Sequence, residues 1–169
     1  MNEAIPIERI ENKIYLIRGQ KVMIDADLAG LYGLATRDLN KAVSRNLERF
    51  PVDFMFQLNK SEYENLKFQF GTSSWGGRRK RPRAFTEQGI AMLSSVLNSQ
   101  RAIQVNIIII RTFVKIRRLI STHQELLAKL NELEGKTESN TADIQLIFET
   151  IRKMLVVEEK PAKRIGFLT

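Results

Sequence analysis

Cysteine is absent from this chain of 169 residues, and histidine occurs once, as His123. Without cysteine the chain can form no disulfide and no thiolate metal site, and one histidine is too few for the usual zinc sites. His123 lies in a region of heptad pattern, which is a poor place for the pocket of a Ser-His-Asp triad. The glycines at 71, 76 and 77 lack the following lysine and hydroxyl residue of a phosphate-binding loop. We therefore expect no metal site, no cofactor and no enzymatic activity.

Long apolar runs are also absent. The most apolar stretch, residues 102–116, is interrupted by five polar or charged side chains and is too short and too polar to cross a bilayer. The first 13 residues contain acidic side chains and lack the apolar core of a secretory signal. We therefore expect a cytoplasmic protein with no membrane partner.

Negative charge is scarce in the first part of the chain. The formal net charge is +8, and residues 1–122 contain 20 Lys and Arg against 11 Asp and Glu. Residues 123–169 contain 7 against 8. A basic head joined to a nearly neutral helical tail is typical of a polyanion-binding domain with a separate assembly segment.

Residues 24–50 have the pattern of a helix-turn-helix. Asp25 is a candidate N-cap, the apolar residues up to Tyr32 recur at helical spacing, and Gly33 suits the left-handed residue that ends a helix. A second helix is predicted from Thr36 to Phe50. Its buried stripe is expected to consist of Leu39, Ala42, Val43, Leu47 and Phe50.

The outward face of that second helix carries the side chains that suit a DNA major groove. Arginine pairs with guanine edges, asparagine with adenine, and lysine or serine with phosphates. Helix pairs joined at a glycine also occur in folds that never touch DNA, but the positive charge of the head favours DNA binding. The predicted contacts on this helix are Arg37, Asn40, Lys41, Ser44 and Arg45.

A second candidate contact is the basic segment at residues 71–83. Its glycines and serines have the composition of a loop, and Pro82 argues against a helix. Such a segment can lie along phosphates or enter the minor groove, whereas the plainer alternative is a solvated loop without a ligand. The predicted contacts here are Arg78, Arg79, Lys80, Arg81 and Arg83.

Short strands and helices are predicted around these segments. Two apolar runs flanking Gly19 indicate a hairpin, and residues 53–58 indicate a strand. Helices are expected to begin at Asn59 or Ser61, at Thr86 and near Gln100. In the last of these, apolar residues at helical spacing outweigh the β-branched run at 107–110. The fold class is therefore α+β, a small helix-turn-helix domain with short strands followed by a long C-terminal helix.

Heptad spacing begins at Ile116 and is typical of a coiled coil. The segment 135–140 is a weak zone, and two interpretations are open: one continuous helix that dimerises, or two helices that fold back as a hairpin. Because the heptad phase is retained across this zone, we favour the continuous helix. The predicted oligomerisation residues are Leu119, Leu126, Leu130, Leu133, Ile144, Ile147, Ile151 and Met154.

The chain resembles the KilA-N type of DNA-binding domain, and more narrowly its Orf-six N-terminal branch from phages and prophages. The resemblance rests on IRGQKVMIDADLAGLYGL, LNKAVSRNLERFPVDFMFQL, GGRRKRPRAFTEQGIAMLSSVL and RAIQVNIIIIRTFVKIR. It covers about residues 8–118. It implies a small α+β DNA-binding domain of phage or mobile-element regulation, in some members described as antirepressor-like.

These observations predict three segments: a DNA-binding domain at 8–118, a coiled-coil oligomerisation segment at 119–157 and a basic extended tail at 158–169. The predicted function is a double-stranded DNA-binding regulator that forms a homo-oligomer, most simply a dimer, through its C-terminal helix. The alternative is an antirepressor-like module that captures a regulatory protein through its coiled coil. A metal-dependent nuclease is the weakest alternative, because the carboxylates of the head are scattered.

Overall fold

The computed structural model describes residues 5–70, 80–136 and 142–159. The chain divides between Thr112 and Phe113 into two compact units, which we call the head and the tail unit. The head combines a four-stranded antiparallel sheet with short helices, so the predicted α+β class is confirmed. The helix that joins the two units is long, as predicted, and runs from Gln100 to Lys136.

The sheet has the strand order β1-β2-β4-β3, with all neighbours antiparallel. After helix α1 (Ile7–Glu11), strands β1 (Tyr15–Ile17) and β2 (Gln20–Ile24) form the predicted hairpin. Its turn residues Arg18 and Gly19 both have positive φ, 54° and 72°, as a two-residue turn matching the twist of the strands requires. Strands β3 (Met55–Gln57) and β4 (Arg83–Thr86) complete the sheet, with β4 in the interior.

Helix α4 (Lys60–Phe70) covers one face of this sheet. Asn59 begins it with a reciprocal cap, because the Asn59 side chain accepts from the Glu62 N–H at 2.8 Å and Glu62 accepts from the Asn59 N–H at 2.7 Å. Tyr63 and Leu66 are buried against Val22 and Phe56 of the sheet. Of the two starts that the sequence left open, Asn59 and Ser61, the structure has Asn59.

The helix-turn-helix is formed by α2 (Asp25–Tyr32) and α3 (Thr36–Ser44). Gly33 adopts φ 71°, and the N–H of Leu34 bonds to the carbonyl of Ala29 at 2.8 Å, which closes α2 as a Schellman motif. The predicted glycine turn is thus confirmed. Leu39 and Val43 of α3 are fully buried against the rest of the head.

Helix α3 is shorter than predicted. It ends at Ser44 rather than Phe50, and residues 47–49 form a separate 3-10 turn. The Asn46 side chain donates to the carbonyl of Ala42 at 2.9 Å, and this local bond takes the place of a further helical bond. The prediction that Leu47 belongs to the buried stripe is wrong, since Leu47 is 53% exposed.

Helix α5 (Glu87–Leu97) follows β4 and begins at Thr86, as predicted. The hydroxyl of Thr86 donates to the carbonyl of Asp53 at 2.8 Å and accepts from the N–H of Gly89 at 3.4 Å. A Cβ on Gly89 would overlap the carbonyl oxygen of Phe54, so only glycine allows this approach. Helix α5 ends at Asn98, in the left-handed region.

Helix α6 (Gln100–Lys136) confirms the helical prediction for the isoleucine run. In the head, Ala102, Val105 and Ile109 are buried along one side of it. The buried Asn106 donates to the carbonyl of Ile90 at 2.7 Å and accepts from the Tyr32 hydroxyl, so it links α6 to α5 and α2. Burial raises the pKa of the Tyr32 phenol, which therefore stays protonated as the donor.

The tail unit contains the rest of α6 and helix α7 (Ala142–Glu159). Arg152 of α7 donates to the Asn131 side chain at 3.0 Å and pairs with Glu134. In one straight helix, residues 134 and 152 would lie about 27 Å apart, beyond the reach of both side chains. The continuous C-terminal helix that the heptad phase favoured is therefore wrong, and the hairpin alternative is the structure observed.

Candidate nucleic-acid interface

Five basic side chains of the head line one open groove of about 690 Å³. Helix α3 forms one wall, and strand β3 with the start of β4 forms the other. We call it the cationic groove. Its lining consists of Asp25, Thr36, Arg37, Asn40, Lys41, Ser44, Gln57, Lys80, Arg81 and Arg83.

Seven of the ten predicted DNA-contacting residues line this groove: Arg37, Asn40, Lys41, Ser44, Lys80, Arg81 and Arg83. The first four come from α3 and the last three from a segment about 40 residues later. The strand β4 brings them together, because its interior position in the sheet places Arg83 beside α3. Arg45 is exposed at the end of α3 but is not part of the lining. Arg78 and Arg79 lie outside the described residues.

The outward side chains of α3 are open to solvent. The Arg37 side chain is 91% exposed and makes one long ion pair with Asp38, at 3.8 Å. An exposed pair of that length contributes little and is easily exchanged for a phosphate or a base edge. Lys41 is also exposed, and within the described parts of the chain no ion pair involves Lys41, Lys80 or Arg81.

Arg83 holds α3 against the sheet. Its Nη1 donates to the carbonyl of Asn40 at 3.1 Å, and its Nη2 donates to the Ser44 hydroxyl at 2.9 Å. The planar guanidinium spans one turn of α3 in this way, which a lysine cannot do. Two predicted DNA contacts, Arg83 and Ser44, are therefore bonded to each other, and Arg83 is half-buried.

Asn40 and Asp25 form the floor of the groove. The Asp25 carboxylate is buried and accepts from the Asn40 amide at 2.7 Å and from the Ala26 N–H at 2.8 Å. The Oδ1 of Asn40 is also buried and accepts no hydrogen bond from a described residue. An asparagine whose amide is engaged in this way cannot offer both atoms to an adenine edge. Asn40 therefore joins α3 to α2 in this structure, and Asp25 is the first residue of α2 rather than its cap.

The β3 side of the groove is held by main-chain bonds. The Gln57 side chain donates to the carbonyl of Arg81 at 3.2 Å, and the N–H of Leu58 donates to the carbonyl of Pro82 at 3.0 Å. These bonds hold the backbone of Arg81 and Pro82 at the rim, and the side chains of Lys80 and Arg81 are exposed. Gln57 was not anticipated from the sequence, because only the pairing of Gln57 with Arg83 across the two strands places it in the groove.

The electrostatic character of the groove is strongly positive. Five cationic side chains line it, against the single buried carboxylate of Asp25. A concave surface lined by one sign of charge concentrates counter-ions of the opposite sign. In the described parts of the chain, no cluster of three histidine or acidic side chains has the geometry to hold a metal ion. Nor does any helix of those parts have the length and apolarity to cross a membrane.

The predicted oligomerisation residues lie in the tail unit. Leu130 is buried, whereas the other seven are exposed by 39–64%. Those seven are Leu119, Leu126, Leu133, Ile144, Ile147, Ile151 and Met154.

The head has the sheet and helix-turn-helix of a small domain that presents one helix beside a cationic groove. The chain belongs to the ORF6N domain family, whose family model matches residues 12–96, just over half of its length. This is a phage-associated domain related to KilA-N. The match includes the helix-turn-helix, all four strands and most of α5. Neither the curated proteins nor the solved structures contain a match to this chain.

Proposed function

We propose that this protein is a phage-type regulator that binds double-stranded DNA through the cationic groove, as a domain of the KilA-N type. The observation that supports this most strongly is the convergence of two separate basic segments on one groove beside an exposed helix. The ORF6N family, a phage-associated domain, is consistent with a regulatory role.

Helix α3 has dimensions suited to a major groove. An α-helix with its side chains is about 10–12 Å across and fits the major groove of B-DNA, which is about 12 Å wide. The nine residues of α3 span about 13 Å along the helix axis. The exposed Arg37 and Lys41 lie one helical turn apart on the outward face and are the candidates for base contacts. Lys80 and Arg81, on the opposite wall of the cationic groove, would then meet the phosphates of the adjacent backbone.

The roles of the predicted contacts differ. Arg37 and Lys41 are proposed to read bases, and Lys80 and Arg81 to bind phosphates. Asn40, Ser44 and Arg83 are proposed mainly to orient α3, since their polar atoms already bond to one another or to Asp25. DNA contact stays a prediction for Arg45, Arg78 and Arg79.

The salt dependence of DNA binding tests this function. Each phosphate contact contributes a slope of about 0.9 to the plot of log affinity against log salt concentration. Lys80→Ala combined with Arg81→Ala should therefore lower the slope by about 1.8 in a fluorescence-anisotropy titration of a random-sequence duplex. The matched control replaces Arg9 and Lys60, two exposed cations outside the groove, with alanine and should leave the slope unchanged.

Two results would contradict the proposal. One is failure of the wild-type protein to bind any duplex at low ionic strength. The other is an equal slope change in the groove variant and in the control, which would assign binding to overall charge. Selection of bound sequences by wild type and by Arg37→Ala then tests base reading, since a bidentate arginine contact discriminates by about 1–3 kcal/mol.

An antirepressor-like role is the second candidate, and the exposed apolar residues of the tail unit favour it. It predicts that a second regulatory protein binds to the tail unit and that variants of the cationic groove leave this binding intact. The salt titration above separates the two functions, because only the first requires the groove.

A further inference from the structure

The tail unit exposes an unusual amount of apolar surface. Its described side chains, at 113–136 and 143–155, include eight large apolar residues that are exposed by 39–64%. The head exposes eight as well, but over more than twice as many described residues. Scattered apolar residues are normal on a surface, whereas such a concentration on two helices marks an interaction site.

The exposed residues form one stripe on each helix. At 100° per residue, Leu119, Leu126 and Leu133 fall within an arc of about 40° on α6. Ile144, Ile147, Ile151 and Met154 fall within about 80° on α7. Leu146 is also exposed, at 63%, but it points to the back of α7, well outside that stripe.

The two helices contact each other through different faces. On α6 the contact face contains the buried Leu130 together with Asn131 and Glu134, the partners of Arg152. On α7 it contains Arg152 with the half-buried Phe148 and Leu155. The exposed stripe lies about 90° from the centre of the contact face on each helix. On both helices it is displaced in the same rotational sense, opposite to the sense in which successive residues turn about the helix axis.

The direction of α7 decides where these stripes lie. Helix α7 starts six residues after Lys136, and its Arg152 still reaches Asn131 and Glu134, so α7 runs back along α6. Each stripe is rotated away from the contact face in the same sense about its own helix axis. Because the two axes point in opposite directions, this rotation brings both stripes to the same side of the helix pair. The hairpin therefore has one apolar face made by both helices, which we call the open face.

We infer that the open face binds the open face of a second copy of this chain, so that two hairpins form a four-helix bundle. Seven half-exposed apolar side chains present on the order of 500 Å² of apolar surface. Pairing two copies through this face would bury about 1,000 Å², the size at which a specific interface begins. Their spacings, seven residues on α6 and three or four on α7, are those of side chains that interdigitate between the helices of a bundle. The open face of the hairpin is thus suited to packing against the open face of an identical hairpin.

The charges beside the open face favour a two-fold antiparallel arrangement. Along the edge of α6 the signs alternate, from Glu125 to Lys129 to Glu132 to Lys136. A two-fold axis between Lys129 and Glu132 brings Glu125 opposite Lys136 and Lys129 opposite Glu132 of the second copy. A parallel arrangement in register would instead place like charges opposite each other, which is unfavourable. This self-complementarity is a property expected of an isologous dimer contact.

Sedimentation equilibrium of the full-length protein without DNA tests the inference. The wild type should sediment at twice the 19.5 kDa of one chain. Leu126→Gln combined with Ile147→Gln should sediment as a monomer with an unchanged helical circular-dichroism signal, because both side chains are already exposed in the single chain. Leu146→Gln is the matched control, equally exposed and one residue from Ile147, and it should remain a dimer.

Each other outcome overturns the inference. A wild type that stays monomeric at micromolar concentration leaves the open face to another partner, and a double variant that still dimerises places the contact elsewhere. The charge pattern is tested separately: Lys129→Glu should weaken dimerisation several-fold, and Lys129→Glu with Glu132→Lys should restore it. Unchanged dimerisation in the single variant would exclude the antiparallel two-fold arrangement. DNA takes no part in these measurements, so their failure and that of the proposed function are distinguishable.

Discussion

Gly89 packs so tightly against the carbonyl of Phe54 that a Cβ at this position would overlap the carbonyl oxygen. Thr86 bonds to the carbonyl of Asp53 in the same place, so the start of α5 is held against the segment that leads into β3. Two sequence blocks that carry the family resemblance, around residues 49–58 and 85–97, thus contact each other directly. Gly89 and Thr86 therefore serve the packing of the head, and neither of them lines the cationic groove.

We predict that Gly89→Ala destabilises the head by more than about 2 kcal/mol, because the added Cβ overlaps a carbonyl oxygen of the main chain. Urea denaturation measures the free energy of unfolding. Gly30→Ala in α2 is the control, since its Cβ meets nothing within 4 Å and alanine favours a helix by about 1 kcal/mol. If both substitutions changed the free energy of unfolding equally, Gly89 and the carbonyl of Phe54 would be less tightly packed than in the structure.

Arg83 is expected to act through the orientation of α3. Arg83→Met removes both bonds to α3 and should weaken duplex binding about tenfold, the cost of two such hydrogen bonds, while the salt slope stays at the wild-type value. Arg83→Lys should fail to restore the affinity, because an ammonium group cannot reach both acceptors. A slope reduced by about 0.9 in Arg83→Met would instead make Arg83 a phosphate contact.

At the scale of elements, the β1–β2 turn is tied to α4 by a charged cluster. The Arg18 guanidinium donates to both oxygens of Glu62, at 2.7 and 3.1 Å, and lies 4.2 Å from the centre of the Phe56 ring. The hydrogen bond from Arg18 lowers the pKa of Glu62. The two hydrogen bonds to Glu62 also hold Arg18, one of the two turn residues with positive φ, in position.

The lowered pKa of Glu62 predicts a pH dependence. A carboxyl whose pKa is lower in the folded state stabilises the fold above its ordinary pKa, and this stabilisation is lost as the pH falls through the folded-state pKa. Glu62→Gln should therefore reduce the free energy of unfolding at pH 7, and the difference from wild type should vanish in acid. Glu64→Gln, whose pair with Lys67 is longer at 3.7 Å, is the control and should show a smaller difference. A Glu62→Gln effect that persists in acid would assign it to packing.

The heptad pattern of the tail unit is compatible with two arrangements, one continuous helix or a helical hairpin. A stripe of period three and four predicts that a helix packs against another helix, but it does not say which one. Retained phase across residues 135–140 suggested one long helix, whereas the bond from Arg152 to Asn131 shows that α7 turns back. A short-range pattern cannot distinguish a partner in the same chain from one in a second copy.

At the scale of the whole molecule, charge and apolar surface are separated. The first 122 residues carry the net positive charge, and the exposed aliphatic stripes are concentrated after residue 113. The ORF6N match ends at residue 96 and leaves the tail unit outside. This separation is consistent with nucleic-acid binding in the head and assembly in the tail, each with its own test above.

The sequence by itself was sufficient for the fold class, the glycine turn at Gly33 and the cap at Thr86, because these depend on neighbours within a few residues. It narrowed the start of α4 to Asn59 or Ser61. Only the tertiary structure decided that Arg83 and Ser44 bond to each other, that Asn40 is held by the buried Asp25, that Gln57 joins the groove and that α7 folds back on α6. Each of these depends on residues more than ten positions apart, and chain topology, which local spacing does not encode, brings them together.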